Sequence, residues 1–452
     1  MDAKRLTARV RRGGIFTVAL VLFVCGGSGA VDFSSNASAS DHFGASSTAD
    51  CDSLATCYTP HDLEAAYGIE PLLKRGIDGK GETVVLPEFA AGPPVSLPVS
   101  DLRSDLRDFD KLFNLPAARL IFDTSIAGSN VPYLANGEEV LDAEMVHAIA
   151  PGVTITILRM KSNSLNDPAN AVSASVSALR RGATLGGIIS MSAVGQTGGE
   201  RCDSPSEVSA LNAALQFASA DHVTVVAASG DIGVVGEPCA LLKGLVGGKF
   251  PPVREVNLPA SDPLVLGVGG TSLYASHATG AYESETVWGL PYGNVGTQFQ
   301  ASGGGYSDLF PRPSYQAGVP GIGSYRGVPD VSADANGHTG MLIVTSTGAN
   351  RYSVRNSGGT SASAPLWAAI IALADQYAGR DLGLVNPAIY AIARSAHYSA
   401  AFHDVTAGSN GASFPSQHFS GYKAVRGWNA AAGWGSPDAQ NLVPLLARYD
   451  QG

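Results

Sequence analysis

Residues 357–373 read Ser357-Gly-Gly-Thr-Ser-Ala-Ser-Ala-Pro-Leu-Trp-Ala-Ala-Ile-Ile-Ala-Leu373, and this stretch decides the fold. Its Ala-rich apolar run predicts a buried helix over residues 361–378. Pro365 falls in the first turn of that helix, where proline is tolerated because its N–H has no helical partner. The sequence therefore places Ser361 at the mouth of a buried helix.

The two glycines before this serine favour a role as a nucleophile. Gly358 and Gly359 remove side chains and let another backbone approach closely. A helix N-terminus also favours negative charge that develops beside it. Serine is a common N-cap residue as well, so a plain cap before a core helix is an equally open interpretation of Ser361 from this stretch alone.

The rest of the chain alternates between short apolar runs typical of strands and runs typical of helices. The chain has 452 residues, of which 45% are apolar, and this length fits one large domain or two ordinary ones. The predicted strands are 83–86, 153–158, 187–190, 223–228 and 264–268, and the predicted helices are 141–150, 169–181, 206–221 and 361–378. This alternation predicts an α/β fold with a mostly parallel sheet covered by helices on both faces. Since no repeat or internal linker is visible, we expect one domain over residues 59–452, with an irregular Gly/Pro-rich segment at 293–330.

The N-terminal residues have the pattern of a secretory signal peptide. Residues 1–30 begin with several basic side chains, continue with an apolar run that ends at Cys25, and close with the small residues Ser28-Gly29-Ala30. The apolar run is short for a bilayer span, although an uncleaved anchor stays open. We therefore predict a secreted protein without a stable membrane anchor, with residues 31–58 as a Ser/Ala-rich leader.

Cysteine count and net charge narrow the class of protein further. If Cys25 leaves with the signal peptide, four cysteines remain, and an exported protein would most economically pair them as Cys51–Cys57 and Cys202–Cys239. The formal net charge of the whole chain is −10. Such an acidic chain is not expected to bind nucleic acid non-specifically. We expect a monomer that works on its own.

A pair of carboxylates lies at the start of another predicted helix. Glu138 and Asp142 are four residues apart and share one face of that helix, and the same stripe continues into apolar residues. The pair is therefore predicted to point inward, where burial raises the pKa of at least one carboxyl group. For the neighbouring Glu139 and Glu144 we predict the alternative, a solvated acidic surface near the positive end of the helix.

A third acidic residue follows a predicted central strand. Asp231 comes directly after the apolar run 223–230, and sites of open α/β sheets gather at the carboxyl ends of such strands. A simple turn aspartate is the competing interpretation.

None of the nine histidines is followed by glycine, so the His-Gly-Thr setting of a subtilisin-type base is missing.

Taken in order, these motifs resemble those of the sedolisin family, the serine-carboxyl peptidases, from about Thr59 to the C-terminus. Matching segments are Gly137-Glu138-x-x-x-Asp142 for the Glu/Asp pair, Ser229-Gly230-Asp231 for the oxyanion aspartate, Gly359-Thr-Ser361-Ala-Ser-Ala-Pro365 for the nucleophile, and the further signatures Val268-Gly-Gly-Thr271, Ser302-Gly-Gly-Gly-Tyr-Ser307 and Val328-Pro-Asp-Val331. The resemblance implies a subtilisin-like α/β fold.

The resemblance also implies a mechanism. Ser361 would attack the scissile carbonyl, Glu138 would act as the base, and Asp142 would hold Glu138 in place. A protonated Asp231 would donate to the developing oxyanion. A carboxylate base stays usable in acid, where a histidine with a pKa of roughly 6.5 is charged. The family therefore implies an acid-active endopeptidase that takes protein or peptide substrates; an exported pseudopeptidase that binds peptides or a partner, and a subtilisin-like peptidase, are the alternatives.

A calcium site near the C-terminus is a further implication of the resemblance. The ligands carried over are the side chains of Asp404 and Asn429 and the carbonyl groups of Val405, Val425 and Gly427. All would offer oxygen, as a hard cation requires. The family usually has a second aspartate where this chain has Asn429, so we expect one calcium ion that is bound more weakly.

Two other departures from the family pattern concern maturation and the site. The family usually has a long pro-domain, whereas only 28 residues separate the predicted signal peptide from Thr59. Family members often have a tryptophan behind the Glu/Asp pair, whereas this chain reads Ser192-Ala193-Val194 there. Glu88 matches the outer acid of that hydrogen-bond network, but the tryptophan partner of Glu88 is missing.

Overall fold

A parallel β-sheet forms the centre of the molecule, which confirms the predicted α/β class. The computed structural model describes residues 32–34, 57–89, 100–127, 134–135, 137–160, 168–192, 198–237, 252–289, 294–295, 298–348, 351–414 and 417–449. Eight strands make up the main sheet: β1 Thr83–Phe89, β2 Arg119–Asp123, β3 Thr154–Met160, β4 Ile188–Met191, β5 Thr224–Ala228, β6 Leu266–Ala275, β7 Tyr282–Val287 and β8 Val331–Asp334. Their order is β7-β6-β5-β4-β1-β3-β2, with β8 beside β6, and every pairing except β7 with β6 is parallel.

Helices cover both faces of this sheet, as the alternation predicts. The described residues form ten α-helices: α1 Pro60–Ala66, α2 Glu70–Leu73, α3 Leu102–Phe113, α4 Gly137–Ile149, α5 Pro168–Gly182, α6 Pro205–Ala220, α7 Thr360–Ala378, α8 Asn386–Ala393, α9 Tyr398–Ala401 and α10 Ala439–Arg448. Helices α4, α7 and α10 pack together on one face, and α5 and α6 pack on the other. The central strands are therefore buried on both sides.

Burial on both sides explains why the strands appear in the sequence as continuous apolar runs. Successive side chains of a strand point to opposite faces of the sheet. Val84 and Leu86 belong to the core under α4 and α7, whereas Val85 belongs to the core under α5 and α6. The same alternation holds for Ile188 and Ile189 in β4. A strand that serves two cores needs apolar residues at every position.

Helix α7 passes through the larger core. The side chains of residues 362–375 are all buried, whereas Ser361 in its first turn keeps partial exposure. Trp367 anchors the helix to β8, because its indole N–H donates to the carbonyl of Ser332 at 2.9 Å. The helix packs against β1, β4, β5, β6 and β8, so its position relative to the sheet is fixed.

Smaller sheets complete the described structure. Strands β9 Leu342–Gly348 and β10 Arg351–Asn356 form a hairpin, and Asp32–Ser34 pairs with β10. The segment 293–330, predicted to be irregular, contains the antiparallel pair Gly305–Pro311 and Tyr325–Val328. The remaining short pairs are Ser100–Asp101 with Leu134–Ala135, Asn294–Val295 with Gln298–Phe299, Phe402–His403 with Ser436–Pro437, and Ala412–Phe414 with Gln417–Phe419.

The predicted start of the domain coincides with a helix cap. The Thr59 hydroxyl accepts from the N–H of Asp62 at 3.3 Å, and the Asp62 carboxylate accepts from the N–H of Thr59 at 2.9 Å, which is a capping box. The predicted signal peptide, residues 1–30, lies outside the described residues. Within the described ranges, no helix combines the length and the apolar character needed to cross a bilayer.

Only part of the predicted cysteine pairing can be compared with the structure. Cys57 and Cys202 each belong to a disulfide. Cys51 and Cys239 lie outside the described residues, so the pairing of the four cysteines stays a prediction.

A buried carboxylate ties three parts of the fold together. Asp330 and Arg326 form an ion pair in which both side chains are 0% exposed. The Asp330 carboxylate accepts five hydrogen bonds, namely two from the guanidinium group of Arg326 at 2.7 and 2.6 Å and one each from the Gly267 N–H at 2.9 Å, the Asn386 amide at 3.0 Å and the Tyr390 hydroxyl at 2.9 Å. The aspartate thus joins β6 to α8 beside the start of β8, which accounts for its place among the sequence motifs.

We expect Asp330→Ala to destabilise the protein by about 3–5 kcal/mol, because the substitution leaves the guanidinium group of Arg326 buried without its partner. Equilibrium unfolding in denaturant measures the change. The exposed pair of Arg201 and Asp308 provides the control, since surface ion pairs contribute about 0–1 kcal/mol, so Asp308→Ala should change the unfolding free energy little. Equal losses in the two variants would contradict the assignment of Asp330 as a structural centre.

Candidate active site

The four predicted site residues come together at the carboxyl ends of the central strands. Asp231 lies just beyond β5, and Ser361 lies in the first turn of α7. Glu138 and Asp142 lie in the first half of α4, which packs against α7. Parallel strands bring their carboxyl ends to one edge of the sheet, so the topology gathers residues that are far apart in sequence.

The glycines before Ser361 meet a real steric demand. Gly359 has φ +94°, and a Cβ atom there would lie only 2.9 Å from Oδ2 of Asp231. A Cβ atom at Gly358 would lie 2.5 Å from the carbonyl oxygen of Ala335. Any side chain at these two positions would therefore push the loop away from Asp231 or from the strand beside it.

Ser361 contacts a carboxyl group rather than a ring nitrogen. Its hydroxyl donates to the carbonyl oxygen of Ser192 at 3.3 Å and lies beside the Glu138 side chain, close enough to lower the pKa of that carboxyl group. The pKa of Glu138 is raised to about 7, chiefly by burial; the contact with Ser361 opposes this increase, and the charge of Asp231 contributes to it. Oε1 of Glu138 is enclosed and has no hydrogen-bond partner among the described groups, although the residue as a whole is partly exposed.

Asp142 and Glu88 form a second, deeper carboxyl pair behind Glu138. Both residues are buried, and burial raises the pKa of each well above its usual range; the charge of Glu138 raises that of Asp142 further. The two carboxyl groups lie close enough to shift each other's pKa, and two buried acids at this distance are not both ionised, so at least one of them holds a proton. Contacts of Asp142 with Ser192 and Glu88 act to lower its pKa. Ser192 thus approaches the acid pair at the place where the family has its tryptophan.

Asp231 is held by the residue that precedes the serine. Oδ1 of Asp231 accepts both the N–H and the hydroxyl of Thr360, each at 2.8 Å. Burial raises the pKa of Asp231, while these two hydrogen bonds lower it. Because Oδ1 is committed to Thr360, Oδ2, the oxygen near Gly359, remains for another partner.

Two residues of this site were missed by the sequence reasoning. Thr360 stands inside the serine motif but was treated only as a spacer. Glu237 accepts a hydrogen bond from the N–H of Asp231 at 3.1 Å, and its pKa is raised to about 7, chiefly by burial and in part by the charge of Asp231. The position of Thr360 beside the serine could have drawn attention to it, whereas Glu237 follows Asp231 in a loop without any pattern.

The prediction that Glu139 and Glu144 are solvated is wrong. Both side chains are 0% exposed. Glu139 forms an ion pair with the equally buried Arg159, and Oε2 of Glu144 accepts from the N–H of Val344 at 2.8 Å. Helix α4 is enclosed by other elements on nearly all sides, so an apolar stripe does not mark its only buried face.

The predicted calcium loop brings its carbonyl groups together, but not around an oxygen ligand. Oδ1 of Asp404 accepts from the N–H of Gly427 at 3.0 Å. The carbonyl oxygens of Val405, Val425 and Gly427 lie 3.3, 3.2 and 3.4 Å from the side-chain nitrogen of Asn429. An amide NH₂ group donates hydrogen bonds and does not ligate a hard cation. The predicted donor set therefore does not fit calcium with Asn429 as a ligand.

One other group of carboxylates is close enough to hold a cation within the described ranges. It consists of Glu82, Asp375 and Asp381, each of which has an oxygen within 4.8 Å of the others. Glu82 directly precedes β1, so this group lies at the end of the sheet opposite to Ser361. Burial raises the pKa of Asp375 to about 8, and the charges of Glu82 and Asp381 add to the effect.

Comparison with known proteins identifies relatives of this chain. Residues 125–435 match the Subtilase family. Kumamolisin from Bacillus sp. (strain MN-32) is 32% identical over 402 residues, which cover 86% of this chain and 64% of that protein. Sedolisin from Pseudomonas sp. (strain 101) is 36% identical over 192 residues, which cover 42% of this chain and 30% of that protein. The chain thus spans less than two thirds of the length of these curated relatives.

A solved structure extends the likeness to three dimensions. The structure of Pseudomonas sedolisin, a serine-carboxyl proteinase in complex with two molecules of pseudo-iodotyrostatin, superposes with a TM-score of 0.69 at 27% sequence identity. The match covers 86% of this chain and 98% of that chain. The fold is therefore shared over nearly the whole of that solved chain.

We expect Asp231→Asn to lower the pKa of Glu138, because the charge of Asp231 is one of the two causes that raise it. Carbon-13 NMR of labelled glutamate side chains, followed across a pH titration, measures the shift. Asp381→Asn removes a carboxylate at the opposite end of the sheet and should leave the Glu138 titration unchanged. If both variants give the wild-type titration, Asp231 and Glu138 do not interact.

Proposed function

Because the chain belongs to the sedolisin family, we propose that it is a serine-carboxyl endopeptidase in which Ser361 is the nucleophile and Glu138 is the general base. One observation carries this proposal above the others: at the mouth of α7 the Ser361 hydroxyl lies beside the carboxyl group of Glu138, whose pKa it lowers. The substrates are proteins or peptides, whose scissile carbonyl carbon Ser361 would attack.

The proton balance of the reaction follows from this contact. Ser361 Oγ forms a bond to the carbonyl carbon while its proton moves to the ionised Glu138 carboxylate. Glu138 then returns the proton to the leaving amine as the C–N bond breaks, which leaves an acyl group on Ser361. In the second half, Glu138 takes a proton from water, the water oxygen attacks the acyl carbon, and Ser361 recovers its proton.

Asp231 is suited to stabilise the oxyanion. When Asp231 is protonated, its Oδ2 can donate a hydrogen bond to the negative oxygen of the tetrahedral intermediate. Two features support this role: Thr360 fixes Oδ1, and Gly359 leaves room beside Oδ2. Burial raises the pKa of Asp231, which keeps the donor protonated at higher pH than an ordinary aspartate.

Asp142 and Glu88 act as positioning residues for the base. Burial raises the pKa of both residues, so the pair holds at least one proton and carries at most one negative charge behind Glu138. When the proton of this pair lies on Glu88, Asp142 can accept a hydrogen bond from a protonated Glu138. That bond stabilises the state in which Glu138 has taken the serine proton. The absent tryptophan is not needed for this exchange.

The pH dependence follows from the coupling of Glu138 and Asp231. The reactive state needs Glu138 ionised and Asp231 protonated, so it holds one proton on the pair. When both groups are protonated the base is lost, and when both are ionised the oxyanion donor is lost. The pair titrates as a unit, so the reactive state is populated in the pH range where the pair holds one proton. With the pKa of Glu138 at about 7, the second ionisation falls near neutral pH, and activity is confined to acid.

The location proposed for this enzyme, outside the cell, rests on the sequence. Residues 1–30 have the pattern of a secretory signal, and the net charge of −10 suits an acidic exterior. We expect the enzyme to act outside the cell as a monomer on protein or peptide substrates. The choice between this activity and an exported peptide-binding pseudopeptidase depends on turnover.

Ser361→Ala should abolish peptide hydrolysis and leave the melting temperature close to that of the wild type, because alanine is compatible with the first turn of a helix. A peptide-digest assay at pH 4–6 measures the turnover. Ser363, two residues along the same helix, hydrogen-bonds with the carbonyls of Ala333 and Asp334 instead, so Ser363→Ala is the matched control and should keep most of the activity. If Ser361→Ala turns over at the wild-type rate, the nucleophile is wrong; if the wild type binds peptides without turnover, the pseudopeptidase alternative holds.

The wild-type rate should follow a bell-shaped profile in acid, with a decline near pH 7, because the second ionisation removes the proton from the oxyanion donor. Glu138→Gln should be nearly inactive at every pH, since an amide cannot accept the serine proton. Asp231→Asn keeps a donor near the Oδ2 position and no longer loses it by ionisation, so a slower enzyme with a weaker high-pH decline is expected. A wild-type maximum near pH 8, together with a fully active Glu138→Gln variant, would show that another base is at work.

A further inference from the structure

The C-terminal loop contains a cage of carbonyl groups whose centre is occupied by a side chain. The carbonyl oxygens of Val405, Val425 and Gly427 face one another across Asn429, and the Asn429 side-chain nitrogen lies between them. Asn429 is only 4% exposed, so its amide belongs to the interior. In the family that the sequence resembles, these same carbonyl groups face a calcium ion.

The orientation of the Asn429 amide is fixed by its other end. Oδ1 of Asn429 accepts from the backbone N–H of Ala431 at 3.2 Å and from that of Ala432 at 3.0 Å. A flipped amide would turn its NH₂ group toward two N–H donors and its oxygen toward three carbonyl oxygens, which leaves every contact repulsive. The nitrogen must therefore face the carbonyl cage. An aspartate at this position differs, because either of its oxygens can accept from the N–H groups while the other faces a cation.

The dimensions of the cage match a donor nitrogen better than a calcium ion. The three N···O distances of 3.2–3.4 Å suit two amide hydrogens shared among three carbonyl groups. Calcium–oxygen distances are about 2.3–2.6 Å, so a bound ion would need the carbonyl groups to close in by several tenths of an ångström. It would also need the amide nitrogen to leave the position that the ion would take.

The loop is braced on its other side without a cation. Oδ1 of Asp404 accepts from the N–H of Gly427 at 3.0 Å and from the hydroxyl of Tyr398 at 2.8 Å. These bonds hold the turn at Gly427, where φ is +76°. The three carbonyl groups of the cage and Oδ1 of Asp404, which would surround an ion, therefore already accept hydrogen bonds.

We propose that the side-chain amide of Asn429 takes the place of a calcium ion, so that the C-terminal loop of this protein is held without metal. A carboxylate site releases its cation in acid, because protons compete with the metal for the ligands. An amide does not titrate, so the contacts of Asn429 with the three carbonyl groups persist at acidic pH.

Thermal unfolding and metal binding test the proposal on the full protein. Calcium or the chelator EDTA should shift the wild-type melting temperature by less than about 1 °C, since only an ion that binds the native state raises it. Terbium alone serves as a luminescent probe, with Trp428 and Trp434 in the same loop as sensitisers. The wild type should give no terbium signal from this loop.

Asn429→Asp should restore the metal site. Without calcium the variant should melt below the wild type, because its carboxylate faces three carbonyl oxygens. With calcium it should recover, and its affinity for calcium should exceed that of the wild type by about tenfold or more. Asn410→Asp is the matched control: Asn410 is equally buried, and its amide joins the Gly304 carbonyl to the Tyr422 N–H, but it faces no cage. Its melting temperature should not respond to calcium.

Two results would overturn the proposal. The first is wild-type binding of calcium, measured by calorimetry, that Asp404→Asn removes. The second is a folded Asn429→Asp protein without any calcium response. Wild-type calcium binding that survives Asp404→Asn but is lost in Asp381→Asn belongs to the carboxylate group at the other end of the sheet, and it agrees with a metal-free C-terminal loop.

Discussion

The rest of the structure depends on the burial of α7 on every side. A helix that is apolar around its whole circumference cannot lie on a surface, so the sheet, α4 and α10 enclose it. Its N-terminus then has unsatisfied N–H groups at the one end that reaches the carboxyl edge of the sheet. Asp231 meets that end through Thr360, and Glu138 meets it through Ser361. The position of the polar site therefore follows from the position of the apolar helix.

The protein buries carboxylates in two different ways. Asp330 is paired with the buried Arg326, so its charge is compensated inside the fold. Glu139 contacts the buried Arg159, but burial still raises its pKa, to about 8. Among the described residues, no arginine or lysine forms an ion pair with Glu138, Asp142 or Asp231, and burial is the first cause of each pKa increase. Carboxyl groups that are buried without a cation are stable when they hold protons. The site acids belong to this second kind, together with Glu285 and Asp334 elsewhere in the fold, whose pKa values burial also raises.

The sequence could predict whatever depends on local pattern. Strands that serve two cores have apolar residues throughout, so the α/β class was visible from short runs such as the one before Asp231. Fixed motifs marked Ser361 and the pair that begins with Glu138. Contacts between distant segments left no local trace: Glu139 appeared solvated because the enclosure of α4 comes from other elements. The donor role of Asn429 depends on two backbone N–H groups whose direction no motif records.

The same uncompensated acids also make the stability of the fold depend on pH. The pKa values of these groups are near 4 in the unfolded chain and are raised in the folded protein. At a pH between the unfolded and the folded pKa, the native state therefore binds more protons than the unfolded chain does. The stability that these groups contribute is therefore fully present below about pH 4 and is lost as the pH rises through their folded pKa values, which for Glu138 means about 7. Chemistry and folding thus favour the same range of pH, because both require protons on buried carboxyl groups. The Asn429 amide extends this logic to the C-terminal loop, where a titrating metal site would weaken in the acid that the active site requires.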